Sequence, residues 1–258
     1  MDGWFGVFDT SKVDLPSFFR YRFAADLRNL QMYVPTAFAE NRPDVLASFI
    51  RQNSFGTLVT FDAQAGLCAS HLPFLFREAK DGAPATLLSH VARQNDQWRM
   101  LRRDTEVLAI FQGPHAYISP RWYVSKLAVP TWNYTAVHVY GRPRLIEDPP
   151  TVRQLLSQIV TTYEGTGSNA WCDGLLPNDF VEKLAAAVVA FAIDVTRIEG
   201  KFKLSQNRPM ADREAVVAAL EEQKGDDAMA VAALMRAHSL VDDERTDPSA
   251  TNPKSRAT

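Results

Sequence analysis

The middle of the chain constrains the fold most. Between Phe55 and Pro143 it is a series of β-rich segments punctuated by tight turns, with few long helices among them. Phe55–Phe61 reads as a strand, and the polar turn from Asp62 to Gly66 leads into a second extended run, Leu67–Phe76. Thr86–Val91 is a third strand, and Glu106–Gln112 a fourth that ends at Gly113-Pro114. His115–Ser119 is a fifth, and Thr131–Pro143 a long sixth in which Val137 and Val139 alternate with His138 and Tyr140. Such a string predicts an α+β chain that is mainly antiparallel β, a barrel with helices around it rather than a doubly wound parallel sheet.

Helical periodicity marks the surroundings. Val45, Leu46, Phe49 and Ile50 share one face of a helix over Asp44–Gln52, with Asp44 near its start. Asn95–Arg103 reads as a short helix. Pro149-Pro150 opens an amphipathic helix over Thr151–Tyr163. After a loop over Gly165–Asn178, Asp179–Ala186 is helical. Val188–Val195 with Arg197–Phe202 forms a last long strand, and Arg213–Gln223 and Asp227–His238 are two helices broken at Gly225. Residues 1–31 crowd Phe5, Phe8, Phe18, Phe19, Tyr21 and Phe23 without a period, so they read as an extension outside the core. Either translation starts at Met32, or the extension lays these aromatics on the barrel or a partner copy. The expected domain is 32–240, and 241–258 has almost nothing to bury and is expected to be disordered.

Charge and motifs exclude several functions. The 28 Lys and Arg against 30 Asp and Glu give a net charge of −2, so any contact with nucleic acid is local or indirect. No run of about 18 apolar residues predicts a membrane span. Cys68 and Cys172 lie far apart and in no CxxC spacing, which fits a reducing cytoplasm. No GxGxxG, P-loop or GxSxG motif occurs. His71, His90, His115 and His138 match no zinc spacing, and no metal ligand or catalytic residue is assigned. His71 and His90 are expected on adjacent strands, where they serve either a ligand or the core.

Four segments concentrate polar and aromatic groups. They are Ser70–Pro73, Ser89–Asn95 with Trp98, Gly113–Tyr123 running into Val129–Tyr134, and Gly200–Arg208. Cations, hydroxyls and amides beside aromatic faces suit a planar heteroaromatic ligand with a phosphate tail. The arginines at 93, 99, 102 and 103 read as a solvated helix face.

These segments also carry a resemblance. Gly113-Pro-His-Ala-Tyr-Ile-Ser-Pro-x-Trp-Tyr123, Val129-Pro-Thr-Trp-Asn-Tyr134 and Gly200-Lys-Phe-Lys-Leu-Ser-Gln-Asn207 resemble the PaiB family of FMN-binding negative transcriptional regulators. So do Met32-Tyr33-Val34-Pro35 with Phe38, and His90 with Asn95 and Trp98, so that the likeness spans roughly residues 32–238. The resemblance implies an FMN-binding split β-barrel flanked by helices, a homodimer with FMN at its interface, and a bacterial regulatory role in repressing sporulation and degradative-enzyme genes. The candidate cofactor-binding residues are Ser70, His71, Ser89, His90, Asn95, Lys126, Thr131, Trp132, Asn133, Lys201, Lys203 and Gln206. DNA or a regulatory partner is the weakest part of this expectation, since the joint of the C-terminal helices carries Asp226 and Asp227. The alternatives are an FMN-dependent oxidoreductase and a haem-binding protein on the same architecture.

Overall fold

The computed structural model describes residues 31–102, 105–167 and 170–246, with backbone only for 173 and 239–246. Residues 1–30 of the expected extension, and the tail beyond Thr246, lie outside the described residues. All described elements belong to the unit that begins at Tyr33.

Eight strands form one antiparallel sheet: β1 Ala39–Glu40, β2 Phe55–Asp62, β3 Gly66–Pro73, β4 Leu75–Arg77, β5 Thr86–Ala92, β6 Val107–Ile118, β7 Thr131–Ile146 and β8 Val188–Lys203. Their order is β3-β2-β6-β7-β8-β5-β4, and β1 also pairs with β8. The sheet is not closed by hydrogen bonds. Its end strands β3 and β4 are nevertheless separated in the chain by a single residue, Phe74. The extended run expected over Leu67–Phe76 is therefore broken. Up to Pro73 it pairs with β2, and from Leu75 it pairs with β5. Phe74 turns inward at the break, with its N–H donated to Ser54 O at 2.8 Å. Its ring is 1% exposed and meets Phe111 at 5.5 Å and Phe191 at 6.5 Å, both edge-on. One covalent link thus curls an open sheet into a split barrel around a core of Leu58, Phe74, Phe111, Val137 and Phe191.

Two expected boundaries differ from those seen. Gly113-Pro114 does not end a strand, because β6 runs on through it to Ile118. The register shifts by one residue between Gln112 and His115, a bulge that absorbs the proline, which has no N–H to give the ladder. A second shift opposite Tyr140 and Gly141 joins the two halves of β8. The expected short helix is a 3-10 segment, Asp96–Arg102.

Among the described residues five α-helices surround the sheet: α1 Pro43–Gln52, α2 Pro149–Glu164, α3 Asn178–Ala186, α4 Met210–Gln223 and α5 Asp226–Thr246. In α1, Pro43 occupies the first turn, where its missing N–H costs nothing, and Leu46, Phe49 and Ile50 are buried. Asp148 caps α2 by accepting Thr151 N–H at 3.0 Å, and Gly165, at φ 80°, ends it. Leu155 and Ile159 of α2 cover Leu88, Ala190 and Ala192 as a second, smaller core. Val216, Val217 and Leu220 of α4, with Val231 and Met235 of α5, join the main core. Helix α5 continues to Thr246, into the segment expected as tail. Extending an existing helix needs no new nucleus, so a charged sequence can follow it. No helix among the described residues is long and apolar enough to cross a membrane.

The ring of Phe74 holds the two ends of the sheet together. Phe74→Ala is expected to lower the unfolding free energy by about 3–5 kcal/mol in urea titration. A loss below about 1 kcal/mol would show that the sheet ends are held by something else.

Candidate functional site

The twelve candidate residues fall into two groups on different parts of the sheet. The first lies where β7 begins and β8 ends. Cross-strand pairing sets Tyr134 against Lys203 and Ala136 against Lys201. Side chains alternate along each strand, so Trp132, Tyr134, Lys201 and Lys203 share the outer face while Asn133, Thr135 and Phe202 point into the core.

Lys201 Nζ donates to Tyr33 O at 2.8 Å and lies between the rings of Tyr33 and Tyr134, at 5.4 and 5.5 Å. Lys203 Nζ donates to Thr131 Oγ1 at 2.7 Å and to Trp132 O at 2.5 Å. Among the described residues neither lysine pairs with a carboxylate. Burial, and then repulsion from Lys201 and Arg208, hold the Lys203 ammonium below the ordinary lysine range. Arg208 lies over the Tyr123 ring at 4.8 Å. A half-buried cation pressed by two like charges is the electrostatic complement of a phosphate. Trp132 remains half exposed, edge-on to Tyr117 at 5.9 Å.

Two candidates in this region are used within the fold. Asn133 and Ser205 exchange hydrogen bonds at 3.0 and 3.1 Å, fully buried. Gln206 accepts Leu204 N–H at 2.7 Å and donates to Phe202 O at 2.5 Å, holding the turn in which Ser205 adopts φ 64°. Lys126 is exposed on the loop before β7. Asp212 Oδ1 anchors that loop by accepting Ser125 N–H at 2.9 Å, a bond that keeps the Asp212 carboxyl below the ordinary aspartate range.

The second group surrounds β3 and β5. Asn95 Nδ2 donates to Ser70 Oγ at 2.9 Å, which ties the 3-10 segment to β3. Ser89 is fully buried in the main core and donates to Pro73 O at 2.6 Å. The neighbours of Ser70 and Ser89 face the other way. His71 lies on the outer face of the sheet, with Nδ1 2.9 Å from Thr57 Oγ1. His90 shares its face with Leu88, on the side covered by α2, and its Nδ1 is buried without a hydrogen-bond partner. His71 and His90 are therefore not on adjacent strands, contrary to the sequence expectation. Strand β3 is one end of the sheet and pairs with β2, whereas β5 lies next to the other end, between β8 and β4.

The two groups do not meet within one chain. From Ala190, the partner of His90, to Lys203 runs thirteen residues of β8, roughly 40 Å of strand contour. Along the curl of the sheet, β3 and β8 are four strand spacings apart, roughly 19 Å. The pockets of about 560, 300 and 670 Å³ contain none of the twelve residues.

Sequence reasoning missed Tyr33, which covers Lys201, and Gln97. The Gln97 amide is buried and donates to Leu58 O, Thr60 Oγ1 and Cys68 O, each at 3.2 Å, while its Oε1 has no partner. Gln97 stands inside the Asn95–Trp98 run, but nothing in its sequence context signals burial. Arg93 is exposed, as expected, but it is also tied to the fold. Its guanidinium donates to Ala186 O at 2.8 Å and to Val188 O at 2.9 Å.

Fold and groups together define a split-barrel protein with a cationic, aromatic-lined cluster at one end of its central strands. The family model described as "Putative FMN-binding domain" matches residues 32–197, and the chain belongs to this family. It is 37% identical over 204 residues to "Protease synthase and sporulation protein PAI 2" of Bacillus subtilis, covering 79% of this chain and 96% of the relative. It is 28% identical over 261 residues to an uncharacterized protein of Aspergillus fumigatus, covering 83% of this chain and all of that protein, so relatives are not confined to bacteria. In fold it resembles the FAD and heme binding protein from Mycobacterium smegmatis, with a TM-score of 0.50, 14% identity, and coverage of 70% of this chain and 79% of that one.

Burial holds the His90 imidazole below its ordinary pKa of 6.5, and His138 likewise, where Glu199 opposes the shift. A depressed histidine pKa leaves stability complete above about 6.5 and removes it as pH falls, because the unfolded chain then binds more protons. We expect the urea unfolding free energy to fall between about pH 7.5 and about pH 5.5, and to fall less in His90→Leu. Equal losses in both proteins would show that His90 does not titrate differently on folding.

Proposed function

We propose that this protein binds FMN and acts as a regulatory protein of the PaiB type, working as a homodimer in the cytoplasm. The observation that carries the cofactor reading is the cationic cluster of Lys201, Lys203 and Arg208. It crowds like charges beside aromatic rings, with no carboxylate on either lysine among the described residues. An FMN phosphate relieves that repulsion. In this reading Lys203 and Lys201 hold the phosphate and Trp132 offers a face to the ring. Ser70 and Asn95 form the polar group on the other side of the site. Bound FMN supplies a ring able to accept and return electrons, and no side chain is assigned a chemical step. The regulatory part rests on kinship with the sporulation protein of Bacillus subtilis.

The dimer follows from the separation of the two groups. The outer sheet face exposes Phe55, Phe61, Leu67, Tyr117 and Trp132, an apolar surface suited to a second copy. A twofold pairing brings the lysine cluster of one copy toward end strand β3 of its partner, which presents His71 on the outer face and meets Asn95 through Ser70 on the other. Regulation then acts through a partner or a small signal rather than a broad basic surface, since the net charge is −2.

Purified protein is expected to show a flavin absorbance spectrum and to run near twice 28.8 kDa by light scattering. Lys203→Ala is expected to weaken FMN binding about tenfold to a hundredfold, the effect of one lost charge-assisted hydrogen bond. A Soret band in place of the flavin bands, or unchanged FMN affinity in Lys203→Ala, would overturn this assignment. Rapid bleaching by NADH or NADPH without oxygen would make the protein an oxidoreductase.

A further inference from the structure

A pocket of about 560 Å³ that is lined by none of the twelve candidate residues lies between the end of β7, the start of β8 and helices α2 and α3. Its floor is apolar, formed by Ile146, Val152 and Val189. One wall is the Trp98 indole, fixed by its N–H donated to Arg93 O at 3.1 Å. Arg93 itself is spent on the carbonyls of Ala186 and Val188, so it builds the pocket rather than serving a ligand.

The mouth carries two more arginines. Arg102 pairs with Glu147 at 2.7 Å and Arg153 with Glu182 at 3.4 Å. Both glutamates are about 70% exposed, and exposed pairs of this kind are worth little, so an incoming carboxylate can displace either one. The N-terminus of α2 adds no anion site of its own, because Pro149 and Pro150 have no N–H and Asp148 already caps the turn. An apolar floor, a fixed aromatic wall and exchangeable guanidinium groups at the rim define one ligand class.

We infer that this pocket binds a small aromatic monocarboxylate, with the ring against Trp98 and Val152 and the carboxylate on Arg102 or Arg153. The site takes none of the twelve candidate residues into its lining, and binding there does not require the flavin. A ligand there touches β7, β8 and both helices at once, so it is placed to act as a signal.

The probes are 1-naphthoate and its uncharged analogue 1-naphthamide, titrated by calorimetry into the full-length protein with and without added FMN. The expected result is saturable binding of one naphthoate per chain below about 1 mM, with flavin absorbance unchanged. The double variant Arg102→Gln/Arg153→Gln should weaken it about twofold to fivefold, the worth of one exposed ion pair, and the amide should bind correspondingly less well. Val152→Trp, which fills the floor, should abolish it. Absence of saturable binding, equal binding of acid and amide, or full binding by Val152→Trp would overturn the inference. If Val152→Trp fails to fold, the arginine variants decide, because both side chains are at the surface. Unchanged affinity in the double variant overturns the carboxylate site.

Discussion

The packing of Phe74 against Phe111 and Phe191 is the contact on which the rest of the structure depends. It sits where the chain leaves one end of the sheet and enters the other, between Pro73 and Leu75. Without an inward ring there, β3 and β4 would continue as one straight strand and the sheet would lie open. With it, eight strands that never close their hydrogen-bond ladder still enclose a core. The burial of one large aromatic is worth only about 1.5–3 kcal/mol, but here it also fixes the curl that every other core contact requires.

That curl determines where chemistry can occur. It draws β3 toward the 3-10 segment, so that Asn95 reaches Ser70. The long β7-β8 ribbon meanwhile carries Thr131, Trp132, Lys201 and Lys203 to its far end. In the proposed reading each group supplies half of a cofactor site, one with hydroxyl and amide groups, the other with cations and aromatic faces. The apolar outer face between them is the surface a twin copy would cover. Binding and assembly then become one property of the fold rather than two.

Much of this was legible in the sequence. The α1 and α2 helices declared themselves through 3.6-residue periodicity and their prolines, and the alternation of Val137 and Val139 marked β7. The break at Phe74 was not legible, because both sides of it are extended and only the pairing partner changes. Gly113-Pro114 looked like a strand end, since local signals cannot tell a terminus from a bulge that tertiary pairing sustains. The site was legible as segments but not as atoms. Ser70 and His71, or Ser89 and His90, are neighbours in sequence and face opposite sides of a strand. Asn133 and Gln206 have the chemistry of ligand contacts, yet the fold uses them to hold Ser205 and its turn. Nothing in composition distinguishes a polar group that awaits a ligand from one that has found a backbone partner.

The central claim is that each flavin site is built from the Lys203 end of one copy and the Asn95 group of another. It is tested most directly by mixing Lys203→Ala and Asn95→Ala chains after dissociation and measuring FMN bound on reassociation. Each variant alone should bind FMN poorly. In mixed dimers one site receives both intact groups, so about one site in four of the mixture should regain wild-type affinity. If the mixture binds no more FMN than the two variants measured apart, the site lies within a single chain and the claim of a shared site is contradicted.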